Sequence, residues 1–145
     1  MLQRTTNGVS QKDFCLHSPA SVEFNGKEVR GLTAYWDTGS SVCCIAREIA
    51  NKLGLPIMPT QQEVRSITDS KMADVTVCTL KIGYGDDIIL PDTLFCVIIK
   101  DFEYELLIGQ DVIGYGELHT KYNPAMERIR LEFEIDPSVI PDPEI

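Results

Sequence analysis

Through much of the chain, apolar and polar residues alternate with a period of two, the pattern of strands that bury one face. Val22 and Phe24 alternate ahead of Asn25-Gly26, and the alternation resumes from Val29 to Trp36. Asn-Gly adopts positive φ with little strain, so this stretch predicts a tight hairpin that leads into Asp37. In "IAREIANKLGLP" the period changes: Ile45, Ile49 and Leu53 recur at helical spacing, Gly54 can take the left-handed position past the helix end, and Pro56 blocks continuation. A short helix is expected there. Beyond it, "EVRSITDSKMADVTVCTLKIGY" reads as two strands about a turn near Asp69-Ser70, followed by "LFCVII", "YELLIGQDVIGYGEL" and finally "RIRLEFEI", where Ile129, Leu131, Phe133 and Ile135 alternate. The expectation is an all-β domain over residues 14–135 with one short helix. Residues 1–13 lack apolar periodicity, and "DPSVIPDPEI" over 136–145 combines prolines with acids, so both ends are expected to be loose unless a partner orders them. No internal repeat is visible.

Composition narrows the function classes. A chain of 145 residues, 43% hydrophobic and 24% charged, suits one domain with a modest core. Its 13 basic against 22 acidic residues give a net charge of −9, which weighs against nucleic acid and anionic lipid as partners. The longest apolar run, Leu94 to Ile99, is six residues, far short of the roughly 18 that a spanning helix needs, and the N-terminus has no apolar core like that of a signal peptide. A soluble, cytoplasmic protein without membrane partners is expected. Cysteines 15, 43, 44, 78 and 96 are odd in number and lack C-x-x-C spacing, which points to reduced thiols and to no metal site.

The candidate chemistry lies in "AYWDTGSSVCC", Ala34 to Cys44. Asp37 falls where an extended strand ends on a tight glycine turn, with hydroxyls at Thr38 and Ser40. A carboxylate held there needs donors, and those hydroxyls and the backbone N–H groups around Gly39 can supply them. Asp followed by Thr and Gly is also ordinary turn chemistry, so the tetrapeptide alone leaves a plain structural role open. Trp36, by strand alternation, faces opposite to Asp37 and is expected in the core.

Asp37-Thr38-Gly39-Ser40 resembles the signature of pepsin-type aspartic proteases, and "LLIG" at Leu106 to Gly109 resembles the second signature that packs beside it. The order of D-T-G-S, helix, hairpin, Ile-Ile strand and Ile-Gly-x-Asp resembles the single-lobe, retropepsin-like branch, over about residues 20 to 135. The resemblance implies a closed β-barrel acting as a two-fold homodimer on peptide or protein substrates, without cofactor. Such proteases hold one water between two carboxylates, one ionised and one protonated, because like charges so close cannot both ionise. This chain encodes D-T-G once: Asp69-Ser70 is followed by Lys71 and Asp92-Thr93 by Leu94. A second Asp37 must therefore come from a second copy.

The resemblance further implies that Thr38 hydrogen-bonds across the dimer axis, Gly39 admits substrate backbone and Ser40 orients the outer oxygen of Asp37. Ile67, Thr68, Asp69 and Ser70 would form a flap over substrate, and Ile108 and Gly109 the cleft floor, although Ile108 reads more readily as core than as substrate wall. Two departures stand out. Where retroviral relatives commonly pair an Arg with an Asp, this chain has Gln110 and Ser41, a neutral pair that avoids a lone buried charge. The flap segment "ITDSKM" has no glycine. Alternatives from other classes are a non-catalytic dimeric peptide-binding module of the same fold, an unrelated β-domain with a chance D-T-G, and a thiol protease using Cys43 or Cys44. The last lacks a recognisable base, since His17 and His119 are the only histidines and neither sits in a local signature.

Overall fold

A computed structural model describes residues 1–10, 16–65, 70–99, 102–125 and 128–142, with backbone only for residues 7–10. The predicted hairpin is present. Strand β2 (His17–Phe24) turns through Asn25 at φ 51° and Gly26 at φ 81° into β3 (Lys27–Trp36), which ends against Asp37. A short β4 (Cys44–Ala46) runs into helix α1 (Arg47–Leu53), where Ile49, Ala50 and Leu53 are buried and Gly54, at φ 63° and ψ 40°, closes the helix through N–H bonds to the Ala50 and Asn51 carbonyls. The predicted helix is present and is stopped by the residue expected to stop it, but Ile45, read as its first apolar position, belongs to β4.

Strands β5 (Gln61–Arg65) and β6 (Ser70–Ile82) form the second hairpin, followed by β7 (Ile88–Ile98) and a three-residue β8 (Leu106–Ile108). One sheet runs β2-β3-β8-β4-β7-β6-β5, and an additional pairing of β2 with β6 closes six of these strands into a barrel, from which β5 extends. Most neighbours are antiparallel, but β3 pairs parallel with β8 and β4 parallel with β7. The late strand β8 is thus inserted between the early strands β3 and β4, which places the second signature beside the first.

The barrel is filled by one apolar cluster that includes Val22, Ile45, Leu80, Ile82, Ile88, Phe95, Leu106 and Ile108. Burying each such side chain is worth about 1.5–3 kcal/mol. Trp36 belongs to it, at 6% exposure, as its alternation predicts: its indole N–H donates to Ser18 Oγ at 2.9 Å and its ring lies 4.8 Å from that of Phe133. Trp36→Phe is expected to cost about 1–3 kcal/mol, because the fully buried Ser18 hydroxyl loses its donor. Denaturant unfolding that reports no loss of stability would contradict this.

After β8 come a single helical turn, α2 (Gln110–Ile113), then β9 (Glu117–Asn123) and β10 (Arg128–Ile135). In β10, Leu131, Phe133 and Ile135 are buried between half-exposed acids, the alternation predicted for that segment. The chain ends differ from expectation. Gln3–Ser10 forms a strand, β1, paired antiparallel with β10 over its whole length, so that β1-β10-β9 make a second, three-stranded sheet. No apolar stripe announces β1, because it is held by a backbone ladder and by polar contacts: Thr5 Oγ1 donates to Asp87 at 3.1 Å, and the Ile89 N–H donates to Gln3 Oε1 at 2.7 Å. At the other end, Asp136 accepts from the Ser138 N–H and hydroxyl, capping a 3-10 turn over Pro137–Val139, while Ile140 packs on the core.

Candidate active site

The loop over residues 37–43 joins β3 to β4 across the end of β8. Its two anchors are set by register: Trp36 lies opposite Ile108, and Cys44 opposite Leu107. The Asp37 N–H donates to the Ile108 carbonyl at 2.9 Å, continuing the β3–β8 ladder one residue past the strand. Asp37 is therefore fixed by backbone while its side chain is exposed. The Gly39 N–H donates to Asp37 Oδ1 at 2.9 Å. Gly39 does not need the left-handed region; a Cβ there would lie 3.2 Å from Asp37 Oδ1, so glycine keeps space open beside the carboxylate. Ser40, expected to orient Asp37, instead donates its hydroxyl to the Val42 carbonyl at 2.8 Å. The donor to Asp37 within its own loop is backbone.

The loop is held from beneath by the segment that follows β8. Gly109 touches it so closely that a Cβ would lie 2.3 Å from the Val42 oxygen and 2.8 Å from the Ser40 oxygen. The Gln110 N–H donates to the Ser40 carbonyl at 2.8 Å, and Gln110 Nε2 donates to the Thr38 carbonyl at 2.9 Å. Asp111 accepts from the Cys43 N–H at 3.1 Å and from the Cys43 thiol at 2.9 Å, and the Gly109 N–H reaches Cys43 Sγ at 3.4 Å. Gln110 thus contributes where an arginine is common, through a neutral amide aimed at backbone. Thr38 is exposed, with its carbonyl taken by Gln110.

Burial pushes the Asp111 carboxyl above its ordinary range, against the lowering effect of the Cys43 bonds. A carboxyl raised on folding binds more protons folded than unfolded, so its contribution favours the native state at low pH and is lost as pH rises through the raised value. Asp111→Asn is expected to remove that loss, leaving the melting temperature of the variant, relative to wild type, higher at neutral pH than at pH about 4. A difference that does not vary with pH would contradict it.

Alternation sorts the neighbouring side chains onto two faces. Cys43, Ile45, Leu106 and Ile108 point into the barrel, whereas Val42, Cys44 and Leu107 join Ala73, Val75 and Cys96 in a second apolar cluster between the loop and the β5–β6 hairpin, with Val64 packed against it. Ile108 is fully buried core and not cleft floor; Leu107, one residue earlier, takes the place facing the hairpin. Period-two alternation puts Leu107 and Ile108 on opposite faces, and the register that sets Ile108 opposite the inward-facing Trp36 shows which one turns inward. Asp37 lies near enough to this cluster for its charge to act on the Cys44 thiol, which burial foremost, then Cys96 and the carboxylates of Asp111 and Asp37, push up to about 12. Burial likewise raises Cys43, Cys78 (to about 12) and Cys96 (to about 11), so these are packing thiols, unsuited to attack as thiolates.

Of the flap residues, Ile67, Thr68 and Asp69 lie outside the described residues, while Ser70 opens β6 opposite Arg65 and is exposed. His17 and His119 lie on strands, β2 and β9, away from the loop in sequence. Among the described residues, no three His, Cys, Asp or Glu side chains converge as a metal site would require, and no helix is long and apolar enough to cross a membrane.

A closed, single-lobe barrel in which β8 threads between β3 and β4 to carry Ile-Gly under a D-T-G loop is the retropepsin-like aspartic protease fold. Residues 20–115 match the family described as "gag-polyprotein putative aspartyl protease", and the chain belongs to that family. Among solved structures it is similar to a retropepsin-like aspartic protease from Rickettsia conorii, with TM-score 0.58 and 16% identity over 94% of this chain and 97% of the other. Looser likenesses are to the simian foamy virus (mac) protease, with TM-score 0.45 and 17% identity over 69% of this chain and 93% of that one, and to a foamy viral protease-reverse transcriptase in complex with an RNA/DNA hybrid, with TM-score 0.49 and 19% identity over 78% of this chain and 14% of that one. No curated protein sequence matches the chain.

Proposed function

We propose that the protein is an aspartic endopeptidase whose active centre is completed by a second copy of the chain. The observation that carries this reading is Asp37: exposed, backbone-fixed at the end of β3, supported from beneath by Gly109 and Gln110, and present in a D-T-G turn that the chain encodes once. Two such carboxylates about a two-fold axis would share one proton. The ionised one takes a proton from the bound water as it attacks the scissile carbonyl, while the protonated one hydrogen-bonds the carbonyl oxygen that gains charge. The two titrations belong to the pair and not to either residue. Thr38 meets its symmetry mate across the axis in this reading, and the open side of Gly39 receives substrate backbone.

Val42, Cys44, Ala73 and Leu107 form a small buried apolar cluster shared by the loop, β4, β6 and β8, and in this reading an extended peptide lies between Asp37 and the β5–β6 hairpin. The test is cleavage of an unbiased peptide library by purified protein, scored by mass spectrometry, alongside its mass in solution. Turnover that depends on Asp37 supports the peptidase; saturable binding without turnover at mildly acidic and neutral pH would replace it with the peptide-binding module.

A further inference from the structure

Beside the Asp37 loop, a row of aromatic rings crosses the barrel wall. Tyr35 sits on β3 two residues before Asp37; its ring lies 4.3 Å from that of Tyr104 and 5.7 Å from that of His17, and Phe102 meets Tyr104 edge-on at 5.8 Å. All four side chains are half-buried. Trp36, between Tyr35 and Asp37, shows what a packing ring looks like here, 6% exposed and bonded to Ser18. Strand alternation turns Tyr35 away from Trp36 and onto the face that Asp37 shares, and two residues of strand separate their Cα atoms by about 7 Å. The register agrees: Tyr35 lies opposite Leu107, which belongs to the second apolar cluster, and Phe102 and Tyr104 pack against that same cluster. The row is thus continuous with the candidate site and within one side chain's reach of it.

Charge decides what the row takes. Tyr104 stands between Glu103 and Glu105, both exposed; Glu105 accepts the Thr33 N–H at 3.1 Å, and among the described residues neither acid is paired with a lysine or arginine. Asp37 lies two residues from Tyr35, and the whole chain carries a net charge of −9. Aromatic faces in a negative field attract cations. Among side chains, the guanidinium is the one that is planar, always charged, able to stack on a ring and forked to meet a carboxylate. We propose that the Tyr35–Tyr104 row is a subsite for an arginine side chain next to the scissile bond, its guanidinium stacked on the rings and its charge met by Glu105. This rests on the peptidase reading and names its substrate class. A two-fold dimer offers the row twice, so the arginine can stand on either side of the cut bond.

Two readouts test it. In the library digest, arginine is expected beside the cut bond several-fold above its frequency in the library, with the enrichment kept by Tyr35→Phe, which retains the ring, and lost in Tyr35→Leu. Cut bonds without excess arginine overturn the subsite and leave the peptidase standing. The second readout uses the Asp37→Asn chain, so that binding is measured without cleavage. An eight-residue peptide of valine and threonine with one central arginine is compared by calorimetry with its citrulline counterpart, which keeps the plane and the size and removes the charge. The arginine peptide is expected to bind about tenfold more tightly, a margin kept when Tyr35→Phe is added and reduced to within about twofold by Tyr35→Leu or Glu105→Gln. Equal binding of the two peptides, or a margin that neither Tyr35→Leu nor Glu105→Gln reduces, overturns the subsite. Should wild type cut no peptide at all, the peptidase reading fails and the binding comparison alone judges the subsite.

Discussion

Asp37→Asn is expected to lower the rate of peptide cleavage by at least about a thousandfold while leaving the thermal transition and the dimer near wild type. The asparagine keeps the shape of the side chain and its acceptor for the Gly39 N–H, and position 37 is exposed, so little folding energy rests on the charge. What it removes is the ionisable carboxyl group. In the proposed dimer, amides on both subunits would leave neither a base to take a proton from water nor an acid to polarise the carbonyl, so both functions would fail in one substitution. Cleavage within tenfold of wild type, measured on the best library peptide, would place the chemistry elsewhere.

Gly109→Ala is expected to cost more stability than any other single methyl added near the loop, at least about 3 kcal/mol, and to abolish cleavage with it. The added carbon would lie 2.3 Å from a backbone oxygen of Val42 and 2.8 Å from that of Ser40, and no side chain can rotate aside to relieve the overlap. The loop must lift off β8. That breaks the Gln110 bonds to Ser40 and Thr38 and frees the turn that holds Asp37. Thermal melting and library cleavage read both effects together, and a variant that melts and cleaves like wild type would show that the support beneath the loop is not needed.

Local chemistry made much of this legible. Asn25-Gly26, the Ile49 and Leu53 spacing with its Gly54 stop, and the alternation through β10 each needed only neighbouring residues and are observed as expected, whereas Ile45, read with the helix, lies in β4. Trp36 was assignable to the core for the same reason. What escaped depends on partners distant in sequence. β1 has no apolar stripe, because β10, more than a hundred residues away, supplies its ladder. The Cys43–Asp111 contact joins residues that were each visible as isolated features, yet neither suggests the other until β8 is seen between β3 and β4. Leu107 was passed over for its neighbour in the Ile-Gly motif, because alternation separates the two residues but only the register with Trp36 shows that Ile108 is the one turned inward. Ser40 shows the limit of transferring a role with a motif: its hydroxyl is satisfied by Val42, and Asp37 takes its bond from Gly39 instead.

A mixing experiment reaches the shared active centre most directly. Wild-type and Asp37→Asn chains are exchanged at constant total concentration, and library-peptide cleavage is recorded against the wild-type fraction. If every productive centre draws one Asp37 from each of two chains, activity falls as the square of that fraction, to about one-quarter at equal amounts. A straight line, with about one-half of the activity left in that mixture, would mean that each chain works alone.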